Sequence, residues 1–170
     1  MEFDGWGAVH PLRPLVEENF TIDITEKWNG GVSFRYTVED SEIGSGSGIQ
    51  TLSSLDACTS IDPWWEPMET EYDDRCEFWI PPAKYWEIVT KGTIFLNVDT
   101  IARRDTDVRW VKTGKVHYPC DINGTPTLLD AIKIKTVRGD EIIILADPDN
   151  ALILSIKSMY FAWKLRRVRN

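Results

Sequence analysis

Apolar residues recur at every second position in short runs along this chain, and polar turns cut the runs apart. Residues 20–25 alternate in this way, and so do residues 32–38. Val32, Phe34, Tyr36 and Val38 fall on one face of an extended chain, and Ser33, Arg35 and Thr37 on the other. Asn29-Gly30-Gly31 lies between the two runs, so together they read as a hairpin with one wet face. Residues 93–98 predict a further strand, and residues 105–111 and 115–118 predict two more joined around Gly114. The signal is clearest from Asn123 onward. Asn123-Gly124, Arg138-Gly139-Asp140 and Asp147-Pro148-Asp149-Asn150 separate the runs 128–137, 141–145, 151–156 and 159–165. Turns this short join neighbours, which predicts an antiparallel meander. In the last run Met159, Phe161, Trp163 and Leu165 share one face, with Tyr160, Ala162 and Lys164 opposite.

The 3.6-residue period of a helix shows once. Pro81-Pro82 stands where a helix needs no amide hydrogen, Tyr85, Ile88 and Val89 follow at helical spacing, and Gly92 takes the terminating position. This predicts one helix near 82–91, covering an open face or end of the sheet. Residues 1–18 contain Pro11 and Pro14 and show no clear period, so they read as an extended lead-in. Residues 44–48 alternate Gly and Ser and read as a long loop or a bulged crossing; the Gly-Lys-Ser/Thr ending of a phosphate loop is missing. Residues 49–55 could return as a third strand. Residues 56–77 are acidic, aromatic and proline-rich, and read as a long loop of the kind that often carries function. The expected fold is therefore one mainly β domain over 1–170, an antiparallel barrel or half-barrel with one covering helix.

Three segments carry a likeness to a known group: Asn123-Gly124 through Ala131-Ile132-Lys133-Ile134-Lys135, Asp140 through Ser155 with its Asp147-Pro148 turn, and the terminal aromatic strand. Over residues 95–170 the chain resembles bacterial envelope proteins of uncharacterised function with a half-barrel β fold, akin to the lipoprotein carriers of the periplasm. That resemblance implies a curved sheet holding a hydrophobic or lipid-like ligand in its concave face. It also implies a periplasmic or secreted location, with the cytoplasm as the alternative. No catalytic residue comes with it.

Charge narrows the partners. The net charge is −8, yet residues 1–80 hold 17 Asp and Glu against 4 Lys and Arg, while residues 81–170 hold 10 against 15. An acidic total argues against nucleic acid, which needs a basic footprint. Lys164, Arg166, Arg167 and Arg169 read as a charged edge that blocks strand addition. No run approaches the roughly 20 apolar residues of a membrane helix. Residues 1–7 lack a basic patch followed by an apolar run, so export would require a leader already removed.

Aromatic residues supply the binding candidates. The chain has 8 Trp. Trp64, Trp65 and Tyr72 lie in the acidic loop, where exposed rings can stack on sugars or acyl chains, or fold back and seal one end of the barrel. Trp79 and Trp86 bracket the helix start and read as core residues bordering a ligand; Trp28, Trp110 and Trp163 read as strand packing. Glu66, Glu69, Glu71, Asp73, Asp74 and Glu77 could gather around calcium, but the alternating ladder of a calcium loop is missing, so no metal or cofactor is expected.

Catalytic patterns are sparse. Asp99-Thr100 follows an apolar run as in a retroviral-type aspartic protease, but Ile101 stands where that chemistry requires Gly. His10 and His117 are the only histidines, too few for a three-histidine zinc site, and no Gly-x-Ser-x-Gly elbow is present. His117 could partner Cys120. Cys58 and Cys76 could pair in an oxidising compartment, or all three cysteines could stay reduced. Arg138-Gly139-Asp140 needs no explanation beyond its turn, and Asn19 and Asn123 match glycosylation acceptors. The reading is thus a non-catalytic binder of a hydrophobic ligand. Its alternatives are a carbohydrate- or polymer-binding module built on the loop aromatics, and a hydrolase with a cryptic carboxylate site.

Overall fold

Asn29-Gly30 and Asn123-Gly124 both turn the chain tightly, and the sheet is built outward from such hairpins. A computed structural model describes residues 2–7, 16–38, 45–61, 69–72, 75–76, 78–100, 103–104, 108–158 and 161–168. In chain order the first half comprises β1 (Glu2–Gly7), β2 (Val16–Trp28), β3 (Gly31–Val38), β4 (Ser45–Thr51), α1 (Leu52–Asp56), β5 (Ser60–Ile61), β6 (Glu69–Tyr72) and β7 (Arg75–Cys76). The second half comprises α2 (Pro82–Lys91), β8 (Thr93–Phe95), β9 (Asn97–Thr100), β10 (Arg103–Arg104), β11 (Arg109–Ile122), β12 (Thr125–Lys135), β13 (Glu141–Leu145), β14 (Ile153–Lys157) and β15 (Phe161–Val168).

The main sheet runs β6-β4-β3-β2-β1-β15-β14-β13-β12-β11-β8, and β11 also pairs with β15. That extra pairing closes β11 to β15 into a ring. Each consecutive pair in the ring is antiparallel, so the first and fifth strands must point the same way, and Asp121–Arg167 and Ile122–Val168 indeed pair in parallel. Arg167 meets Glu2 of β1 on one edge and Asp121 of β11 on the other. β14 pairs β15 at Ala162, Trp163 and Lys164 and no further, so β11 takes the edge of β15 that β14 leaves at Arg167 and Val168. The expected barrel is therefore present, with β1, β2, β3, β4 and β6 continuing as an open extension from β15. A small second sheet orders β10-β9-β5-β7.

The turn chemistry explains the meander. Asn123 at φ 52 and Gly124 at φ 83 form a two-residue turn, and the Gly124 amide donates to Asp121 Oδ1 at 2.7 Å. At the next turn Gly139 has φ 92, and Thr136 Oγ1 donates to Asp140 Oδ2 at 2.8 Å. The Asp149 amide donates to Asp147 Oδ1 at 3.0 Å, an Asx turn. α2 begins with Pro82 and ends on Gly92 at φ 72, as expected, and it buries Tyr85 and Ile88. Trp86 corrects the expectation of a core residue: it is 52% exposed on the outer face of α2.

Five segments differ from the sequence reading, the first being the expected long loop over 56–77, whose described residues include β5, β6 and β7, made strand by pairing with β4 and β9, β7 through β5. Residues 109–122 form one strand, because the register shift between Lys112 and Gly114 is a bulge that bends the strand without ending it. Residues 93–98 split at Leu96, whose carbonyl turns aside to accept from Trp110 Nε1 at 2.8 Å. Residues 45–48 of the Gly-Ser tract are strand rather than loop, since β4 hydrogen-bonds to β3 throughout. It stops at Thr51, which caps α1: Thr51 Oγ1 accepts from the Ser54 amide while Ser54 Oγ accepts from the Thr51 amide. The lead-in contains β1, seated between β15 and β2; main-chain bonding on both edges makes it a strand without help from side-chain alternation.

An aromatic cluster ties the extension to the barrel. Phe78 meets Phe34 of β3 edge-on at 5.5 Å between ring centroids, and Trp163 of β15 at 5.8 Å. Its own segment is bonded beside residues 151–153: Ile80 N donates to Ala151 O, and Ile153 N donates to Phe78 O at 2.7 Å. Trp110 and Trp163 are buried as expected, whereas Trp28 is 40% exposed.

Candidate functional site

A cavity of about 1030 Å³ lies between the extension and the barrel. From the extension come Ile24 and Trp28 of β2, Val32 of β3 and Gln50 of β4; α1 adds Leu52 and Leu55. From the barrel come Ile122, Leu129, Leu145, Leu154 and Leu165, one or more from every strand of the ring. Trp79 and the turn Pro148-Asp149-Asn150 also line it. Its volume is at the upper end of the range for small-molecule sites, and its walls are largely apolar.

Local folding explains this meeting. Trp28 is the last residue of β2 and leans over its own turn: a Cβ on Gly30 would sit 3.0 Å from the indole nitrogen. At Gly31 a Cβ would sit 2.6 Å from Gln50 O and 2.9 Å from Thr51 Cα. Only glycine lets β3 approach β4 that closely, and the approach fixes Gln50 beside the cavity. Opposite, Trp79 is held by its indole hydrogen bond to Asn150 Oδ1 at 3.1 Å. Ile24, Trp28 and Leu52 are all exposed, and together they form an apolar lip, a feature that solvent alone would penalise.

The polar groups are few. Asp23, Lys27 and Asp149 carry the charges among the lining residues. Gln50 is 2% exposed, and its Nε2 donates to Ser54 Oγ at 2.7 Å and to Arg75 O at 3.0 Å. Its Oε1 is the one buried side-chain oxygen or nitrogen without a hydrogen-bond partner among the described residues.

The structure divides the residues singled out from sequence. Trp79 lines the cavity and Trp86 does not. Trp64 and Trp65 lie outside the described residues. The backbone of Tyr72 pairs with Gln50 across β4 and β6, and its side chain lies outside the description. Trp28 lines the cavity instead of filling the core, and Ile24, Gln50, Leu52 and Leu129 join it. Trp28 had a legible signal, a large ring at a strand end beside a Gly-Gly turn. Gln50 had none, since a single glutamine in a Gly-Ser tract carries no pattern.

Features relevant to catalysis lie elsewhere. His117 Nδ1 and Asp130 Oδ1 are 3.0 Å apart on paired, outward positions of β11 and β12, both largely exposed. His117 therefore has Asp130 rather than Cys120 beside it. Burial raises the Cys120 thiol, with Asp121 adding to the effect, the opposite of an activated nucleophile. Cys58 and Cys76 are buried and unbridged, so the pairing considered above is not formed. Asp99 lies in β9 with its backbone opposite Arg104. Among the described residues no cluster of His, Cys, Asp and Glu could hold a metal; Glu66, Asp73, Asp74 and Glu77 lie outside them. Nor is any helix there long and apolar enough to cross a membrane.

Comparison with protein-family models, with curated proteins and with solved structures returns no match to this chain. Any reading of function therefore rests on the cavity itself.

Proposed function

We propose that this protein is a non-catalytic binder that holds a hydrophobic ligand in the cavity between the barrel and its extension. One observation carries the reading: Ile24, Trp28 and Leu52, exposed side chains from two elements, converge on the mouth of a cavity walled by Leu129, Leu145 and Leu154. Covering such a lip removes apolar area from water and is worth roughly 25 cal/mol per Å² before the costs of association. The barrel supplies rigid walls, so the ligand need not order them. A place in the cell envelope is proposed only from the likeness read in the sequence of residues 95–170, to which the comparisons add nothing.

Nile red, a neutral apolar dye, tests this. Its fluorescence should rise on binding the wild-type protein, and Leu129→Trp, which fills the cavity from the barrel side, should abolish the rise. Trp28→Ala should weaken binding about tenfold. Unchanged dye binding by a folded Leu129→Trp protein would remove the cavity from consideration. Fluorescence of the cavity tryptophans Trp28 and Trp79 gives an independent readout.

A further inference from the structure

We infer that the outer wall of the barrel docks on an anionic lipid bilayer, with Arg109, Lys133, Lys135, Lys157 and Lys164 meeting the lipid headgroups and Phe95, Val111 and Val137 entering among them. None of these residues lines the cavity, so the docking role stands apart from ligand binding.

Pairing register places them side by side. Directly opposed residues of neighbouring strands share a face of the sheet, and successive residues of a strand take opposite faces. Ile94, Trp110, Ile134, Ile142, Ile156 and Trp163 are buried, and the register links them across β8 and β11 to β15 as the inner face. The intervening positions therefore face outward. Thr93, Val111, Lys135, Glu141 and Lys157 form one outward row, and Lys133, Ile143, Ser155 and Lys164 form the next. Phe95 and Arg109 oppose each other beside Thr93 and Val111. Arg109, Lys157 and Lys164 are exposed, and the Lys135 side chain is 42% exposed.

Charge on this wall is one-sided. Glu141 alone is acidic in the two rows, and it answers two ammonium groups, those of Lys133 and Lys135, each at 2.9 Å. At the turn beyond Lys135, Asp140 is matched by Arg138 at 3.5 Å. Asp4 of β1 stands opposite Lys164 in the register and bounds the patch on that side. The wall acts as basic although the chain carries −8, because physiological salt screens exposed charges beyond about 8 Å.

Apolar groups share the wall. Phe95 is 55% exposed, Val111 38%, and Val137, at the turn after Lys135, 98%. Cations alone would suit any polyanion. A bilayer interface takes both kinds of side chain, since its phosphates attract the cations and its acyl boundary accepts the ring and the branched chains. A nucleic-acid backbone would gain nothing from Phe95 and Val137. A second copy of this wall would set cations against cations.

Vesicle flotation tests the inference on the wild-type protein. It should bind vesicles of one part phosphatidylglycerol to two parts phosphatidylcholine at about 50 mM salt and leave them at about 500 mM. Vesicles of phosphatidylcholine alone should not hold it. Lys157→Gln combined with Lys164→Gln removes exposed charge without touching the Glu141 ion pairs, and should weaken binding about thirtyfold. Phe95→Ser should weaken it about fivefold and leave its salt dependence unchanged. Binding to neither vesicle, equal binding to both, or undiminished binding by either folded variant would overturn the inference. Preference for a DNA duplex over the anionic vesicles would overturn it in favour of nucleic acid. Nile red uptake is read separately, so failure of docking and failure of the cavity are told apart.

Discussion

Gly31, Gln50 and Glu141 show how much single positions decide here. Gly31 admits Gln50 and Thr51 at distances no side chain would allow, and that approach shapes one wall of the cavity. Glu141 sits between two lysines, with Lys133 Nζ and Lys135 Nζ each 2.9 Å from a different carboxylate oxygen. Burial pushes its carboxyl up, but the hydrogen bonds and charges of Lys133 and Lys135 together outweigh that and hold it below the usual range. A depressed carboxyl stabilises the fold above its unfolded titration point, and this stability is lost as pH falls through the folded value. Glu141→Gln should thus lower the urea midpoint at neutral pH. The gap from wild type should narrow as pH falls below the ordinary glutamate range. A gap that persists in acid would show that packing, not charge, accounts for it.

At the scale of elements, two kinds of glycine behave differently. A Cβ on Gly124 would meet nothing within 4 Å, so only its φ of 83 resists substitution. Gly124→Ala should therefore cost about 1–2 kcal/mol in thermal or denaturant unfolding, and Gly124→Asn less, since asparagine tolerates left-handed backbone. Equal costs for the two would point to a contact rather than to backbone strain. The hairpins and α2 were legible because their signals are local: a two-residue turn, a proline first and a glycine last. β1 and β4 were not. Glu2–Gly7 and Ser45–Thr51 lack an alternating apolar face, and neighbouring strands make them sheet through main-chain bonds. The short α1 was hidden because five residues show no helical period; only the Thr51 and Ser54 caps reveal it.

The whole molecule depends on closure of the ring. Tyr118 Oη donates to Leu165 O at 2.7 Å, joining β11 to β15 from inside the barrel. Burial raises the phenol well above its ordinary range, with Cys120 adding to the effect, so the hydroxyl keeps its hydrogen for that bond. Tyr118→Phe should cost about 1–2 kcal/mol and speed amide exchange at the end of β15 more than in β13. Uniform acceleration across the ring would mean that closure does not depend on this tie. The cavity is also a property of the whole, because its two walls come from segments far apart in the chain, β2 to α1 on one side and β11 to β15 on the other.

Alternation and turn residues by themselves determined that the chain is mainly β, where the late hairpins turn, and where its main helix starts and stops. Those signals act over two to four residues, within reach of any reader of the sequence. Tertiary structure alone decided that the ring closes, that Trp28 faces a cavity while Trp110 is core, and that Gln50 is buried beside Ser54 and the Arg75 carbonyl. Alternation tells which residues share a face, not what will cover that face. The covering surface arrives from remote strands through pairing that leaves no mark on local sequence.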